Sequence, residues 1–332
     1  MGNLMGIYLL ILLSFFLSVI VVTAQIRMFR KIGLVVPDYY KPDLRRVPTS
    51  GGVSVLIVLL IMYSLFYIFN SLWNNPPLIP ITRLDWKALF VITFFGLFGL
   101  LDDYADVGRI TKIILTFSFS LPLAIEITTN TVFLPLFGLL VLGWLYWLLI
   151  VPTYIMVTSN LTNMHSGFNG MAVGLSTIII AFLLVKSILA GRDTFFTLGC
   201  MLGALLGLLW YNRYPSRIFE GNVGALLMGA AIGAGIVANG FLVSGFVMLI
   251  PHVVNFLMYV YWRTMWKLHP EDPRWKPVKF GKIRKDWTIE VPNPLTLKWV
   301  LPYHFRMTEW QIVVAMYSLT FIFCILGLFI DY

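Results

Sequence analysis

The feature that most limits what this chain can fold into is a series of long apolar runs. Leu-, Ile-, Phe- and Val-rich stretches lie near residues 4–26, 52–72, 86–101, 113–129, 132–158, 171–190, 194–211, 223–239, 241–262 and 310–330. Each is near the ~20 residues that a helix needs to cross a bilayer, although 86–101 is short by that measure. A soluble domain carries about 25% charged residues; here 12% are charged and 59% hydrophobic, with a mean hydropathy of +0.86. The expected fold is therefore an all-α integral membrane protein of about ten transmembrane helices, organised as one polytopic domain over residues 1–332. The boundary at Asn239-Gly240 is the least distinct, and nine or eleven spans satisfy the pattern as well.

The stretch from Met1 to Ile26 is too long for a signal peptide, shows no small-residue cleavage site and carries its basic cluster after the apolar run, so it reads as a first helix. Cys200 and Cys324 sit inside apolar runs without CxxC spacing and read as small packing residues. With ten spans and the N-terminus outside, the connections at 27–49, 102–112, 211–222 and 263–309 share the cytoplasmic face and hold 20 of the 24 Lys and Arg residues. Lysine and arginine translocate poorly, which sets this orientation. The same asymmetry accounts for the net charge of +9 without a nucleic-acid partner.

The polar residues that the membrane does not explain form five clusters: "PDYYKPDLRRVPTSGG", "DDYADVGRITK", "TSNLTNMHSGFNG", "YNRYPSRIFEGNVG" and "HPEDPRWKPVKFGKIRKDW". All five fall on the predicted cytoplasmic face, in loops of about 27–51, 102–112, 159–170, 211–222 and 263–309. This one-sidedness predicts a single cytoplasm-facing site built from loops, rich in carboxylates, amides and cations. The chain has no P-loop, HExxH zinc motif or GxSxG elbow. The mixture suits an anionic substrate neutralised by a divalent metal and Lys/Arg, as in phosphoryl transfer.

Residue by residue, blander readings stay open. Asp102-Asp103 is either a solvated helix end with Arg109 and Lys112 as counter-charges, or a site at the bilayer edge. The second reading draws weight from the helix dipole, which disfavours carboxylates at a helix C-terminus, and from the functional bias of ionisable groups near membranes. Asn160, Asn163 and Asn169 are turn-formers beside Gly167 and Gly170, or ligands. The Gly229–Gly233 spacing reads as close helix packing. His165, His252, His269 and His304 lack metal-ligand spacing and read as structural.

These residues resemble the polyprenyl-phosphate N-acetylhexosamine-1-phosphate transferase superfamily, most of all its dolichyl-phosphate N-acetylglucosamine-phosphotransferase branch with archaeal members. "DYYKPDLRRVPTSGG", "GLLDDYADVGRITK", "NLTNMHSGFNGMAVG", "NRYPSRIFEGN" and "IPHVVNFLMYVY" are similar to the family's motifs, in the family's order. The resemblance implies transfer of a sugar-1-phosphate from a UDP-N-acetylhexosamine to dolichyl or polyprenyl phosphate, releasing UMP, with Mg²⁺ or Mn²⁺ as cofactor. By the same resemblance Asp102 and Asp103 match the catalytic acid pair, and Asn163 and the Asn222 position match metal ligands. Asn169 and Phe219 match uracil-recognising residues, and Lys41 and Lys112 match phosphate-side lysines. Asn160 belongs to the same amide motif on the substrate side. Arg274, with Lys276 and Lys279 behind it, stands where the branch carries cations that contact diphosphate and sugar. An archaeal-type cell membrane is implied, with the ER as alternative, and a homodimer is compatible.

Two positions depart from the family pattern. Asn222 replaces a metal-binding aspartate, which makes Asp102, Asp103 and Asp106 the acids left to sense metal or lipid phosphate. Thr49 stands where the branch has an acid. The closely spaced histidine motif of the bacterial branches is absent, which argues against a UDP-MurNAc-pentapeptide substrate. An ion- or proton-coupled transporter and an inactive family member are the competing readings.

Overall fold

Helix α1 (Gly2–Lys31) opens the chain and packs lengthwise against α7 (Phe196–Asn212). The computed structural model describes residues 2–72, 79–105, 107–134, 137–192 and 196–330. Between these two helices the chain forms a short antiparallel hairpin, β1 (Val35–Pro37) with β2 (Arg46–Pro48), then α2 (Gly52–Leu72), α3 (Arg83–Tyr104) and α4 (Arg109–Ala124). A second hairpin, β3 (Thr131–Leu134) with β4 (Gly138–Val141), leads through a π-helical turn at Tyr146–Ile150 into α5 (Val151–Met164) and α6 (Met171–Leu189). After α7 come α8 (Gly221–Asn239), α9 (Leu242–Met248) and α10 (Ile250–Leu268). A third hairpin, β5 (Lys282–Ile283) with β6 (Ile289–Glu290), precedes α11 (Leu297–His304) and α12 (Glu309–Leu328).

Among the described residues, six helices are long and apolar enough to cross a membrane: α1, α2, α3, α6, α8 and α12. Counting the α9–α10 pair, which bends by 65° at Leu249, gives seven, and α4 and α7 are shorter apolar helices. The chain is thus a multi-pass helical membrane protein. Three expectations change in detail. The short run 86–101 belongs to a full-length helix, because Thr82 caps it in a reciprocal box with Asp85 and extends it backwards to Arg83. The run 132–158 is not one helix: its first residues pair as the β3–β4 hairpin, whose strands carry apolar side chains apart from Thr131 and Gly138. The run 241–262 is two helices, since α9 stops at Met248 and Pro251 restarts the chain in a new direction. The doubtful boundary at Asn239-Gly240 is a true one: Gly240 adopts φ +74° and ends α8 in a left-handed cap.

Helix α8 is the centre of the bundle. Sixteen of its nineteen residues are buried, and it packs against α3 on one side and α5 on the other. Small residues allow this closeness. A Cβ on Gly229 would lie 2.5 Å from Ser159 Cα, and one on Gly233 would lie 2.9 Å from Ile155 Cα. The Gly229–Gly233 pattern is therefore a packing motif, as its spacing suggests. Facing α8, a Cβ on Gly99 of α3 would lie 2.5 Å from the Asn222 carbonyl oxygen and 2.7 Å from Val223 Cα. A second apolar cluster, containing Tyr40, Phe168, Trp262, Ile289, Trp299 and Ile312, joins the 263–309 segment to the α12 side.

Gly99→Ala is expected to force α3 away from α8 and cost about 1–3 kcal/mol, the usual range for overpacking. Gly199→Ala, whose new methyl would meet only the Leu10 side chain at 3.6 Å, is the matched control. Thermal unfolding in detergent should show a lower Tm for the first variant and none of that loss for the second.

Candidate active site

Asp103 sits at the C-terminal end of α3, where the dipole of its own helix disfavours it. Its partners lie elsewhere. Oδ1 accepts the backbone N–H of Asn222 at 2.9 Å, in the first turn of α8, and Oδ2 accepts the Ser50 hydroxyl at 2.9 Å. The carboxylate thus answers the unpaired N–H groups of another helix, where negative charge is favoured. Gly221, at φ +69°, makes the approach: a Cβ there would lie 2.7 Å from Asp103 Oδ2 and 2.7 Å from Ser50 Cα. Ser50 is fully buried and itself takes φ +57°, a strained value for a residue with a Cβ. The Gln25 amide, donating to the Ser50 carbonyl at 2.9 Å, helps to hold it there.

Asp102 completes the group. Its carboxylate pairs with Lys112 Nζ at 2.7 Å and accepts the Asn222 side-chain amide at 3.1 Å. Its side chain is only 4% exposed, whereas that of Lys112 is 32% exposed. Four of the predicted residues, Asp102, Asp103, Lys112 and Asn222, therefore meet at one point where α3, α4 and α8 converge with the Ser50 loop. The Asn222 Oδ1 and the Asn163 side chain make no hydrogen bond among the described residues. Asp106 lies outside the described residues.

The other predicted residues are placed around this point without joining it directly. Asn163 lies at the end of α5, one turn from Asn160, whose amide donates back to the Met156 carbonyl at 2.8 Å. Asn169 is buried, and its Oδ1 accepts the Ser216 N–H at 2.8 Å, tying the 165–170 loop to the segment that leads to Phe219. Phe219 in turn exchanges backbone hydrogen bonds with Pro48 and Gly51. Arg274 is exposed and engaged by its neighbour Asp272 through a bidentate pair at 2.6–3.0 Å, and the Lys276 ammonium forms no hydrogen bond or ion pair among the described residues. Phe280 and Gly281 of the same segment do reach the first loop, through the stacked Tyr39 ring and the Tyr40 hydroxyl.

Lys41 is placed differently from a lysine that waits for substrate. It is buried between Glu309 Oε2 at 2.5 Å and Asp38 Oδ2 at 3.4 Å, with its ammonium 4.5 Å from the Tyr214 ring centroid. Glu309 also accepts the Asn169 N–H at 2.7 Å, so one carboxylate fixes both the first loop and the amide loop. Sequence reasoning missed Glu309, because its partners are 268 and 140 residues away. It also missed Lys298, which donates to the Ser166 carbonyl under Gly167 and whose pKa burial lowers to about 8, and Glu220, a buried carboxyl held above its ordinary range by desolvation. His165 and His252, far apart in sequence, pack edge to face with centroids 4.6 Å apart.

Comparison with known proteins places this geometry in a family. Residues 86–240, which contain the acid pair, the amide motif and the Phe219 segment, match the family described as Glycosyl transferase family 4. A protein of Saccharolobus solfataricus, provisionally named a UDP-N-acetylglucosamine–dolichyl-phosphate N-acetylglucosaminephosphotransferase, is 30% identical over 99% of this chain and 98% of its own. The chain belongs to glycosyl transferase family 4. A Sulfolobus acidocaldarius protein of the same provisional name is 26% identical over 98% of this chain and 96% of its own. The phospho-N-acetylmuramoyl-pentapeptide-transferase of Thermodesulfovibrio yellowstonii is 30% identical over 68% of this chain and 70% of its own. The family 4 match therefore covers the helices that build the site, and the archaeal likeness extends over the surrounding loops.

The donors fit a hard divalent cation in kind. Mg²⁺ is usually held by one or two carboxylates together with waters and substrate phosphates, and does not require an all-protein cage. Asp102, Asp103 and the two amide oxygens of Asn163 and Asn222 are such donors. Among the described residues, no group of three or more His, Cys, Asp or Glu side chains is arranged to hold a metal without substrate.

Removing one member of a buried ion pair costs about 3–5 kcal/mol, because the other charge is left uncompensated. Glu309→Gln should approach the lower end of that range, since Asp38 still meets Lys41. The double variant Lys41→Met/Glu309→Leu should lose less than the two single changes summed. Denaturation midpoints of the wild type, Lys41→Met, Glu309→Leu and the double variant check this, with Glu309→Gln measured beside them; strictly additive losses would show that the pair is not coupled.

Proposed function

We propose that this chain transfers N-acetylglucosamine-1-phosphate, or a related N-acetylhexosamine-1-phosphate, from a UDP-sugar to dolichyl or polyprenyl phosphate. A phosphate oxygen of the lipid attacks the β-phosphorus of the UDP-sugar, the bond to the bridging oxygen breaks, and UMP leaves with that oxygen. The product is a polyprenyl-diphosphate sugar, the starting unit of a lipid-linked glycan. The observation that carries this reading is the convergence of Asp102, Asp103, Lys112 and Asn222, in a chain that aligns end to end with archaeal relatives bearing that activity in their names. Residues 1–332 act as one catalytic unit in an archaeal-type cell membrane. The site faces the cytoplasm across about ten spans, with the N-terminus outside.

The chemistry asks two anions to approach each other, so charge compensation matters more than covalent catalysis. Lys112 is held by a buried carboxylate yet remains partly exposed, which suits a cation that meets the phosphates. Asn169, with its Oδ1 already taken by Ser216, keeps its amide N–H groups for a uracil carbonyl, and Phe219 supplies a ring for stacking. Arg274 and Lys276 approach the sugar side, with Lys41 and Asn160 supporting the phosphate and amide loops. Asn163, Asn222 and the acid pair would hold Mg²⁺ or Mn²⁺, which would supply charge neutralisation of the diphosphate.

Purified protein with Mg²⁺ or Mn²⁺, a polyprenyl phosphate and UDP-N-acetylglucosamine should release UMP, and EDTA should abolish the release. Failure to release UMP from any UDP-sugar sinks the assignment. A panel of variants places the roles. Asp103→Asn should lower kcat more than Asn222→Ala, because Asp103 holds both Ser50 and α8. The reverse order would show that Asn222 carries the larger share through the metal. Activity appearing only in Asn222→Asp would mark the natural chain as an inactive family member.

A further inference from the structure

Against the 213–217 segment lies a pocket of about 340 Å³ whose lining includes Arg30, Arg45, Arg46, Arg213 and Arg217 and no carboxylate. Five guanidinium groups converge there from three places: the last turn of α1, the β2 edge and the loop after α7. Four of them, Arg30, Arg46, Arg213 and Arg217, make no ion pair among the described residues, and Arg45 has only Asp38 at 3.8 Å. Such a concentration of like charge, in a chain with 12% charged residues, creates a positive potential that favours an anion there.

The pocket is also partly organised. Arg213 lies 4.0 Å from the Trp210 ring centroid and Arg217 lies 4.9 Å from that of Tyr211, while Arg45 donates to the Ser216 carbonyl at 3.5 Å. Stacking fixes the guanidinium planes and leaves their N–H edges for a planar or tetrahedral oxyanion. Its level in the fold is informative. Arg30 closes the span Leu4–Lys31, and Trp210, 49% exposed near the end of α7, sits where aromatic residues mark the membrane boundary. Basic pockets between helices at that level bind phosphate headgroups.

We propose that this pocket is a phosphate-binding site separate from the proposed catalytic group, taking the phosphate of an anionic lipid headgroup or of a soluble phosphate compound. None of Asp102, Asp103, Lys112 and Asn222 lines it. Its connection to the neighbouring site is direct: Ser216, whose carbonyl accepts from Arg45, donates its N–H to Asn169.

The test reads binding, so it stands apart from the outcome of any turnover assay. Full-length protein in mixed phosphatidylglycerol/phosphatidylcholine nanodiscs or micelles is compared by native mass spectrometry with the exposed-site variant Arg46→Gln/Arg213→Gln/Arg217→Gln. Inorganic diphosphate is titrated in parallel by thermal shift. At ~1 kcal/mol per basic residue near the surface, retention should fall roughly fivefold per arginine and about a hundredfold for the triple variant. The single variants Arg213→Gln and Arg217→Gln guard against loss of folding in the triple, and Lys282→Gln/Lys285→Gln removes two positive charges elsewhere. Selective loss of phosphatidylglycerol assigns a lipid headgroup, and selective loss of the diphosphate response assigns a soluble phosphate. Equal retention in wild type and arginine variants, or an equal loss in the lysine control, overturns the proposal.

Discussion

The fold depends on a carboxylate that leaves its own helix. Asp103 ends α3 but completes α8, taking the Asn222 N–H with one oxygen and the Ser50 hydroxyl with the other. That contact draws together the start of α2, the end of α3 and the start of α8, and glycines make it sterically open at Gly52, Gly99 and Gly221. The opposite end of α3 repeats the arrangement. Asp85 is 1% exposed, yet its carboxylate accepts the backbone N–H and hydroxyl of Thr197 in the first turn of α7 as well as those of Thr82. One helix thus carries an acid at each end, and each acid satisfies the N-terminus of a different neighbour.

The other buried charges follow the same rule. Lys186 lies within α6 and donates to the carbonyls of Gly327, Leu328 and Ile330, where the C-terminus of α12 leaves acceptors open. Lys41 and Glu309 meet each other, and Glu309 takes the Asn169 N–H besides. In a medium that offers little water, an unpaired charge costs several kcal/mol, so these charged side chains persist where they meet helix ends or one another. An ionisable residue in an apolar run is therefore a sign of an anchoring role as often as of a chemical one. Asp103 serves the first, and its anchoring contacts lie next to Asp102 and Lys112.

What could be read from the sequence divides along the range of the interactions. The runs that became α2, α6 and α8 were legible because a span is a local property of composition and length. The motif clusters were legible as a group because charge and polarity collect in connections. The β3–β4 hairpin was not, because an apolar pair of strands and an apolar helix share one composition. The α9–α10 bend was hidden in an unbroken apolar run. Within the site, the pairing of Asp102 with Lys112 is ten residues long and was anticipated. The α8 cap by Asp103, 119 residues distant, and the Lys41–Glu309 pair, 268 residues distant, had no local signal. The dipole argument marked Asp103 as out of place in its own helix but could not name the helix that receives it.

Asn222 shows how this geometry and the chemistry constrain each other. Its side-chain amide donates to Asp102 while its backbone donates to Asp103, so it stabilises both carboxylates as they stand. With Lys112 paired to Asp102, the group carries one net negative charge. An aspartate at 222 would raise that to two, replace a donor by an acceptor next to Asp102, and create repulsion that a bound cation or a shared proton would relieve. The asparagine form can hold its shape without metal, whereas the aspartate form would depend on metal for its shape. For the proposed divalent ion, the asparagine form would offer weaker attraction before substrate arrives, because it has one fewer charged oxygen. If a divalent ion binds here as proposed, the diphosphate itself would supply more of the metal's ligands, and metal capture would be coupled to substrate binding more tightly than in a three-carboxylate site.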